Sequence, residues 1–189
     1  MALMFFSSQV LMAQNGKITD DERKFIMDYL DVTQTNLIAT INNLDEEKWS
    51  YRPSSGGWTV AECMKHILVA EEAVFGQLKN ALKSEADNSM NLKNQDAWLI
   101  SKISDRGVKV KTPLPPTEGF KTKKEAIEAL QNSRKEIIKF LKNKDLPLRN
   151  HFGRSPYGPA DAYQLLIVIA AHSMRHNAQI DEILTELVN

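Results

Sequence analysis

A helix-start signature occurs three times in this chain of 189 residues. It is a threonine followed three residues later by a glutamate, found at Thr19 and Glu22, Thr59 and Glu62, and Thr122 and Glu125. In such a capping box each side chain bonds to a backbone N–H group that the first helical turn leaves without a partner. A long amphipathic segment follows each pair, so the chain is predicted to fold mainly into helices.

A further helix is predicted from about residue 160 to residue 187, and Pro159 suits its first turn. Since no segment alternates apolar and polar residues as a strand would, we predict an all-α four-helix bundle over residues 19–189. A short extra helix is expected around "DAWLISKI", in the long connection between the second and third helices. The segment "LRNHFGRSPYGP" before the last helix is interpreted as a turn-rich connection.

Composition argues against two classes of partner. The 24 basic and 24 acidic residues cancel, and without a long basic run the chain lacks the electrostatic footprint of a nucleic-acid-binding protein. No apolar stretch reaches the roughly 18 to 20 residues that cross a bilayer, so no membrane span is expected. The single cysteine, Cys63, cannot form an internal disulfide and is interpreted as a small packed side chain.

The N-terminal segment "MALMFFSSQVLMAQ" departs from globular composition. Its apolar run and Ala13 are typical of the hydrophobic part and cleavage end of a secretory signal. Two features argue against a signal: no Lys or Arg precedes the run, and Leu11 is large for its place. We interpret residues 1–13 as a truncated signal peptide, which would make the protein periplasmic or secreted. The alternative is an apolar arm that packs on the bundle of a cytoplasmic protein.

Two histidines lie one turn apart in the predicted last helix. His172 and His176 fall in line with Ile169 and Ile180, so they are expected to face the bundle interior or its open end. A buried imidazole without a partner costs about 1–3 kcal/mol, and a metal ion that also bound His66 of the second helix would satisfy all three rings. Alternatively, a backbone carbonyl or a carboxylate satisfies His66, and the helical pair is hydrogen-bonded or lies at the rim.

Other polar residues near these histidines have two interpretations each. Gln179 could bond a ligand ring or a metal-bound water, or make an ordinary interhelical hydrogen bond. Glu62 could orient a metal ligand, but its place in a capping box is the favoured role. His151 could overhang the site as a proton carrier, although an exposed loop histidine is favoured. Glu71 and Glu72 are expected on a solvated helix face.

Two segments, "GWTVAECMKHILVAEE" and "DAYQLLIVIAAHSMRHNAQIDEI", resemble the DinB-like superfamily, which includes metal-dependent hydrolase-like proteins related to bacillithiol transferases. In that family a tryptophan-led helix start precedes the first histidine, and H-x-x-x-H followed by x-x-Q-I supplies the other two. The matching positions in this chain are Trp58, His66, His172, His176, Gln179 and Ile180. The resemblance spans about residues 19–189 and implies a four-helix bundle with a three-histidine site for a divalent metal ion.

Three protein ligands leave a divalent ion with an open position for water or a small-molecule substrate, which is typical of catalytic sites. The sequence "HSMRH" lacks the glutamate of H-E-x-x-H, so metalloprotease chemistry is unsupported. We hypothesise a metal-dependent S-transferase that uses a bacillithiol-type thiol cosubstrate on small electrophiles, because a metal-activated thiolate needs no protein base. The alternatives are a metal-dependent hydrolase, and a metal-binding or stress-associated domain without turnover. Export would favour hydrolysis or simple binding, since thiol cofactors are scarce outside the cytoplasm.

The sequence constrains the identity of the metal ion and the oligomeric state less than it constrains the ligand residues. Zinc or nickel is expected first, and iron and manganese also accept imidazole ligands. Relatives often pair as dimers, so the resemblance implies a homodimer as one assembly of this chain.

Overall fold

The computed structural model describes residues 16–54, 56–116 and 118–187. In chain order its elements are α1 (Asp20–Asn42), α2 (Glu46–Ser50), α3 (Val60–Ala81), α4 (Asp96–Ser104), α5 (Lys123–Leu141), β1 (Phe152–Ser155), β2 (Gly158–Asp161) and α6 (Ala162–Glu186). None of these helices is both long enough and apolar enough to cross a membrane, as predicted. Residues 1–13 lie outside the described part of the chain, so their interpretation as a signal peptide or an arm stays a prediction.

The long helices α1, α3, α5 and α6 form the predicted four-helix bundle, and α4 is the predicted short helix of the long connection. Helix α6 packs against α1, α3 and α4. Every residue from Ala160 to Ala171 is buried, because neighbouring elements enclose this half of α6 on several sides. A helix enclosed in this way carries an almost continuous apolar run instead of a single apolar face.

The helix starts agree with the sequence. All three predicted capping boxes are present, with the threonine oxygen accepting from the glutamate N–H and the glutamate accepting from the threonine N–H. Helix α6 begins with a fourth box, in which Asp161 and Gln164 take these roles. Helix α2 begins after an Asp45 cap, and its five residues are too few to show a helical period, so the sequence does not predict it.

The segment interpreted as a turn-rich connection before α6 contains a β-hairpin. Strands β1 and β2 pair antiparallel, with Phe152 opposite Asp161 and Ser155 opposite Gly158. Gly158 has a φ of 119°, a conformation that favours glycine. Four-residue strands rich in Gly and Pro show no alternation of apolar and polar residues, so the hairpin is not visible in the sequence pattern. The hairpin leads directly into α6 and presents Asp161 as its N-cap.

The core consists of two apolar clusters separated by polar residues. Helix α1, for example, contributes Leu30 to one cluster and Leu37 to the other. Between the clusters each long helix has at least one buried polar residue, and the four residues Thr33, Glu71, Arg134 and Ser173 are here called the polar layer. Burying polar groups is unfavourable unless they are hydrogen-bonded or paired. The polar layer therefore marks a region of the bundle that apolar packing alone does not explain.

Candidate metal centre

Three histidines from two helices meet beside the polar layer. Nε2 of His66, on α3, lies 3.2 Å from Nε2 of His172, on α6. Nε2 of His176, one turn further along α6, lies 3.1 Å from the same atom of His172. The nitrogen atoms through which the three rings could bind an ion all lie within 4.8 Å of one another. The structure therefore brings together the three residues that the sequence singled out as a ligand set, here called the histidine triad.

The contacts of the Nδ1 atoms show which ring nitrogen of His66 and of His176 carries the hydrogen. Nδ1 of His66 lies 2.8 Å from the carbonyl oxygen of Leu114, and a carbonyl only accepts, so this Nδ1 is protonated. Nδ1 of His176 lies 2.8 Å from Oε1 of Gln179 and likewise donates. In a neutral ring the other nitrogen, Nε2, then presents a lone pair. The Nε2 atom of His172 can donate a hydrogen to only one of these two Nε2 atoms. At least one lone pair therefore has no donor, and a cation bound between the three rings would be stabilised by it.

Aromatic packing holds the rings in place. The ring centre of Trp58 lies 4.7 Å from that of His66 and 6.0 Å from that of His176, with the latter pair stacked. Trp58 precedes the Thr59 cap of α3, as expected of a residue at the helix entry. The indole of Trp58 also forms one wall of the histidine triad and limits the rotation of the His66 and His176 rings.

Burial keeps the histidine triad neutral. Burial lowers the pKa of His172 to about 3 and that of His176 to about 2, and the neighbouring rings add to both shifts. The pKa of His66 is also lowered by burial, although its hydrogen bond to the Leu114 carbonyl opposes the change. Neutral imidazole is the form that binds metal ions, so all three side chains are in the binding form at neutral pH.

The metal-free protein is expected to lose stability as the pH falls below about 6.5. Because folding lowers the pKa of His172 and His176 from 6.5 to about 3 and about 2, the unfolded chain binds more protons between these pH values. The histidines therefore contribute full stability above pH 6.5, and that stability is lost as the pH falls. Urea unfolding of chelator-treated protein at pH 7, 5.5 and 4.5 measures the change. The double variant His172→Gln/His176→Gln should show a shallower pH dependence, and an unchanged slope would contradict the assignment.

Glu71 is buried, contrary to the prediction of a solvated face, whereas Glu72 is exposed as predicted. Oε1 of Glu71 accepts a hydrogen bond of 2.6 Å from the Ser133 hydroxyl, and Oε2 of Glu71 lies 2.9 Å from the Arg134 guanidinium. Arg134 also donates to the hydroxyl of Ser173, the residue after His172. Glu71 therefore belongs to a buried ion pair that joins α3, α5 and α6 beside the histidine triad.

A cavity of about 150 Å³ adjoins the histidine triad. His66 and His172 form part of its wall, and Glu71 is the one carboxylate among the described residues that line it. The long connection between α3 and α5 closes one side with Thr112, Pro113 and Leu114. The same connection holds His66 through the Leu114 carbonyl, so this long loop is part of the site.

The other two predicted pocket residues lie elsewhere. Glu62 caps α3 and forms an ion pair of 2.6 Å with Arg52, which confirms the capping role. His151 is buried and lies 3.2 Å from the carbonyl oxygen of Ala81, at the end of α3. The prediction of an exposed loop histidine is therefore wrong, because the hairpin packs this residue against α3. Neither side chain is among the described residues that line the cavity.

Arg175, between the two helical histidines, has a role that was not predicted. Its guanidinium donates to the carbonyl oxygens of Asp105 and Val108 and fastens the long connection to α6. Arg106, in the same connection, pairs with Glu182 of α6 at 2.7 Å. The signal in the sequence is an arginine within an apolar helix, since a buried guanidinium needs several acceptors.

Comparisons with known proteins agree with this architecture. The family model for the DinB superfamily matches residues 29–180. No curated protein matches the chain. Among solved structures, YfiT from Bacillus subtilis, described as a probable metal-dependent hydrolase with an unusual four-helix bundle topology, has 17% sequence identity. The match covers 90% of each chain with a TM-score of 0.61, and at this identity it establishes similarity of fold.

The family model covers most of the chain, the bundle is similar in fold to that of YfiT, and the histidine triad lies in the bundle interior. The chain belongs to the DinB superfamily.

Proposed function

We propose that this protein is a divalent-metal-dependent hydrolase whose ion is held by His66, His172 and His176. The observation that carries the proposal is the convergence of three Nε2 atoms on one point, at spacings of 3.2 and 3.1 Å. Two of these atoms present lone pairs because their partner nitrogens donate elsewhere. Such outer hydrogen bonds fix the tautomer and orientation of metal-binding histidines, so the residues fit the ion.

Zinc and nickel are the preferred ions, and iron or manganese also accept three imidazoles. When bound, such an ion supplies a Lewis acid that lowers the pKa of a water or thiol at its open position. The protein supplies the remaining parts of the site. Trp58 and the long connection shield the rings from water, and Gln179 and the Leu114 carbonyl orient them.

Glu71 favours hydrolysis over thiol transfer. Activating water requires a group that takes its proton, and the α6 sequence "HSMRH" offers none. Glu71 reaches the same cavity from α3, where it is paired with Arg134 at 2.9 Å. Burial raises the pKa of Glu71, and the Arg134 charge opposes that rise. We therefore assign the Glu71 carboxylate as the proton acceptor. The description of YfiT as a probable metal-dependent hydrolase supports the same reaction class.

The thiol S-transferase predicted from the resemblance needs no such carboxylate and is tested in the same experiment. Zinc-loaded and chelator-treated protein are assayed for hydrolysis of p-nitrophenyl acetate, and separately for loss of bacillithiol with a model electrophile. Metal-dependent ester hydrolysis is the expected result. Metal-dependent thiol consumption without hydrolysis would replace the proposal by the transferase, and one ion per chain with neither activity would identify a binding domain.

Replacing Glu71 with glutamine is expected to lower the hydrolysis rate about a hundredfold, the low end of the effect of a general base. The amide keeps the shape of the side chain but cannot accept the proton. Metal content should not change. In the wild type, protonation of Glu71 should lower the rate at acidic pH, and this fall in rate should disappear in the variant. Glu72→Gln is the matched control, since Glu72 is the next residue and is exposed. Wild-type rates in Glu71→Gln would remove this residue from the mechanism.

A further inference from the structure

We infer that the cavity beside the histidine triad takes small organic anions with a short apolar stem, whose negative group is held at the mouth by Arg154. The inference rests on the proposed function for the group that reacts at the inner end. The anion-binding end depends only on the hairpin and the cavity walls.

The cavity walls are apolar between two polar ends. Ala70 and Val74 of α3, Val168 and Ile169 of α6, and Leu114 and Pro156 of the two loops line it. A cavity of about 150 Å³ has room for several waters or a short carbon chain. It is smaller than the about 300–1,000 Å³ of pockets that take drug-sized ligands. Size and lining thus select a stem of a few carbons.

Arg154 lies at the mouth and has no partner among the described residues. It is exposed on β1 and lines the cavity. Every other arginine hydrogen-bonds to a carboxylate, a hydroxyl or a backbone carbonyl, namely Arg23, Arg52, Arg106, Arg134, Arg149 and Arg175. A guanidinium presents a planar fork of donors that matches a carboxylate. An unpaired arginine at the opening of an apolar cavity is suited to bind an anionic ligand.

The charges inside the cavity decide which way the ligand points. Glu71 is negatively charged near the inner end, but Arg134 lies 2.9 Å from it and offsets the charge. Among the described residues that line the cavity, the cation free to bind a ligand is therefore Arg154, at the outer end. A ligand carboxylate would lie at Arg154, its stem along Val74 and Ile169, and its neutral reacting group at the histidine triad. Short-chain esters that carry a second, free carboxylate have this form.

The test uses pentanoate and its neutral analogue pentanamide, which have similar size but differ in charge. Binding to the full chain is followed by NMR through the amide resonances of Ala70 and Val74, with and without zinc. Pentanoate is expected to bind at least tenfold more tightly than pentanamide. Arg154→Gln should remove that difference and leave pentanamide binding unchanged, whereas Arg154→Lys should keep part of it. Lys135→Gln, which removes an exposed charge on α5, is the matched control and should have no effect.

A third variant tests the cavity itself. Ala70→Leu should fill the space and abolish binding of both compounds, with the helical circular dichroism spectrum unchanged. Equal affinity for pentanoate and pentanamide, no binding of pentanoate, or full pentanoate binding by Arg154→Gln would each overturn the inference. Zinc content is measured in the same samples. Arg154-dependent binding in protein that retains no zinc would support the anion site while contradicting the proposed function.

Discussion

Replacing His172 with alanine is expected to abolish metal retention while leaving the bundle folded. Nε2 of His172 is the central atom of the histidine triad, since it lies 3.2 Å from His66 and 3.1 Å from His176. The free energy of zinc binding to small structural sites is about 10–16 kcal/mol. Each of three or four ligands therefore accounts for on the order of 3–4 kcal/mol of the binding free energy. The expected loss of affinity is therefore several hundredfold or more. Elemental analysis after equilibration with zinc and dialysis measures the metal retained per chain.

The fourth histidine provides the matched control. His151 is buried like the others but bonds to the Ala81 carbonyl near the end of α3. His151→Gln should therefore keep wild-type zinc content, although it removes the same kind of side chain. Circular dichroism distinguishes loss of metal from loss of fold, because the His172→Ala variant should keep its helical signal. Full zinc occupancy in His172→Ala would remove this residue from the site and contradict the proposed ligand set.

The helix framework and the histidine triad were predictable because their signals are local in the sequence. A capping box spans four residues, and all three predicted boxes form. The pair His172 and His176 follows from the four-residue spacing that places side chains on one helix face. His66 required long-range information, namely that α3 and α6 are neighbours. The resemblance to the DinB-like superfamily supplied that information, since periodicity does not determine the order of helices in space.

The residues that periodicity misplaced owe their environments to distant segments. The sequence places Glu71 on a solvated face, yet its partners Ser133 and Arg134 come from α5, more than 60 positions along the chain. The sequence places His151 in an exposed loop, but this residue is buried where a hairpin with four-residue strands begins. The hydrogen bond from His66 to the Leu114 carbonyl depends on the path of a proline-rich loop. Each of these contacts joins elements whose packing no local pattern encodes.

Replacing Arg149 with methionine is expected to destabilise the fold by about 3–5 kcal/mol, as does removing one partner from other buried charge networks. Arg149 binds three carboxylates: Asp96 at 2.6 Å, Glu22 at 2.7 Å and Asp161 at 3.0 Å. These residues belong to the first turns of α4 and α1 and the N-cap of α6. Its guanidinium also lies 4.0 Å from the ring centre of Tyr163. One side chain thus joins the N-terminal ends of three helices, and methionine would leave Asp96 and Asp161 without their cationic partner.

The pH dependence of this loss distinguishes unpaired charge from lost packing. Burial alone would raise the pKa of Glu22, but hydrogen bonds from the Thr19 N–H, Lys93 and Arg149 lower it to about 2. In the wild type, Glu22 thus contributes stability above about pH 4.5, which is lost as the pH falls toward 2. Burial raises the pKa of Asp161 to about 6 even beside Arg149, so without the arginine Asp161 protonates more readily.

A raised carboxyl pKa makes the fold relatively more stable at lower pH, so the destabilisation of Arg149→Met should be smaller at pH 5 than at pH 7. Urea unfolding of both proteins at the two pH values measures the difference. Lys48→Met is the control, because Lys48 forms an exposed ion pair with Asp45, and exposed pairs contribute little. A loss that is the same at both pH values would mean that Arg149 acts through packing on Tyr163. A variant as stable as the wild type would show that the three helix ends are held without Arg149, by their capping boxes and the apolar clusters.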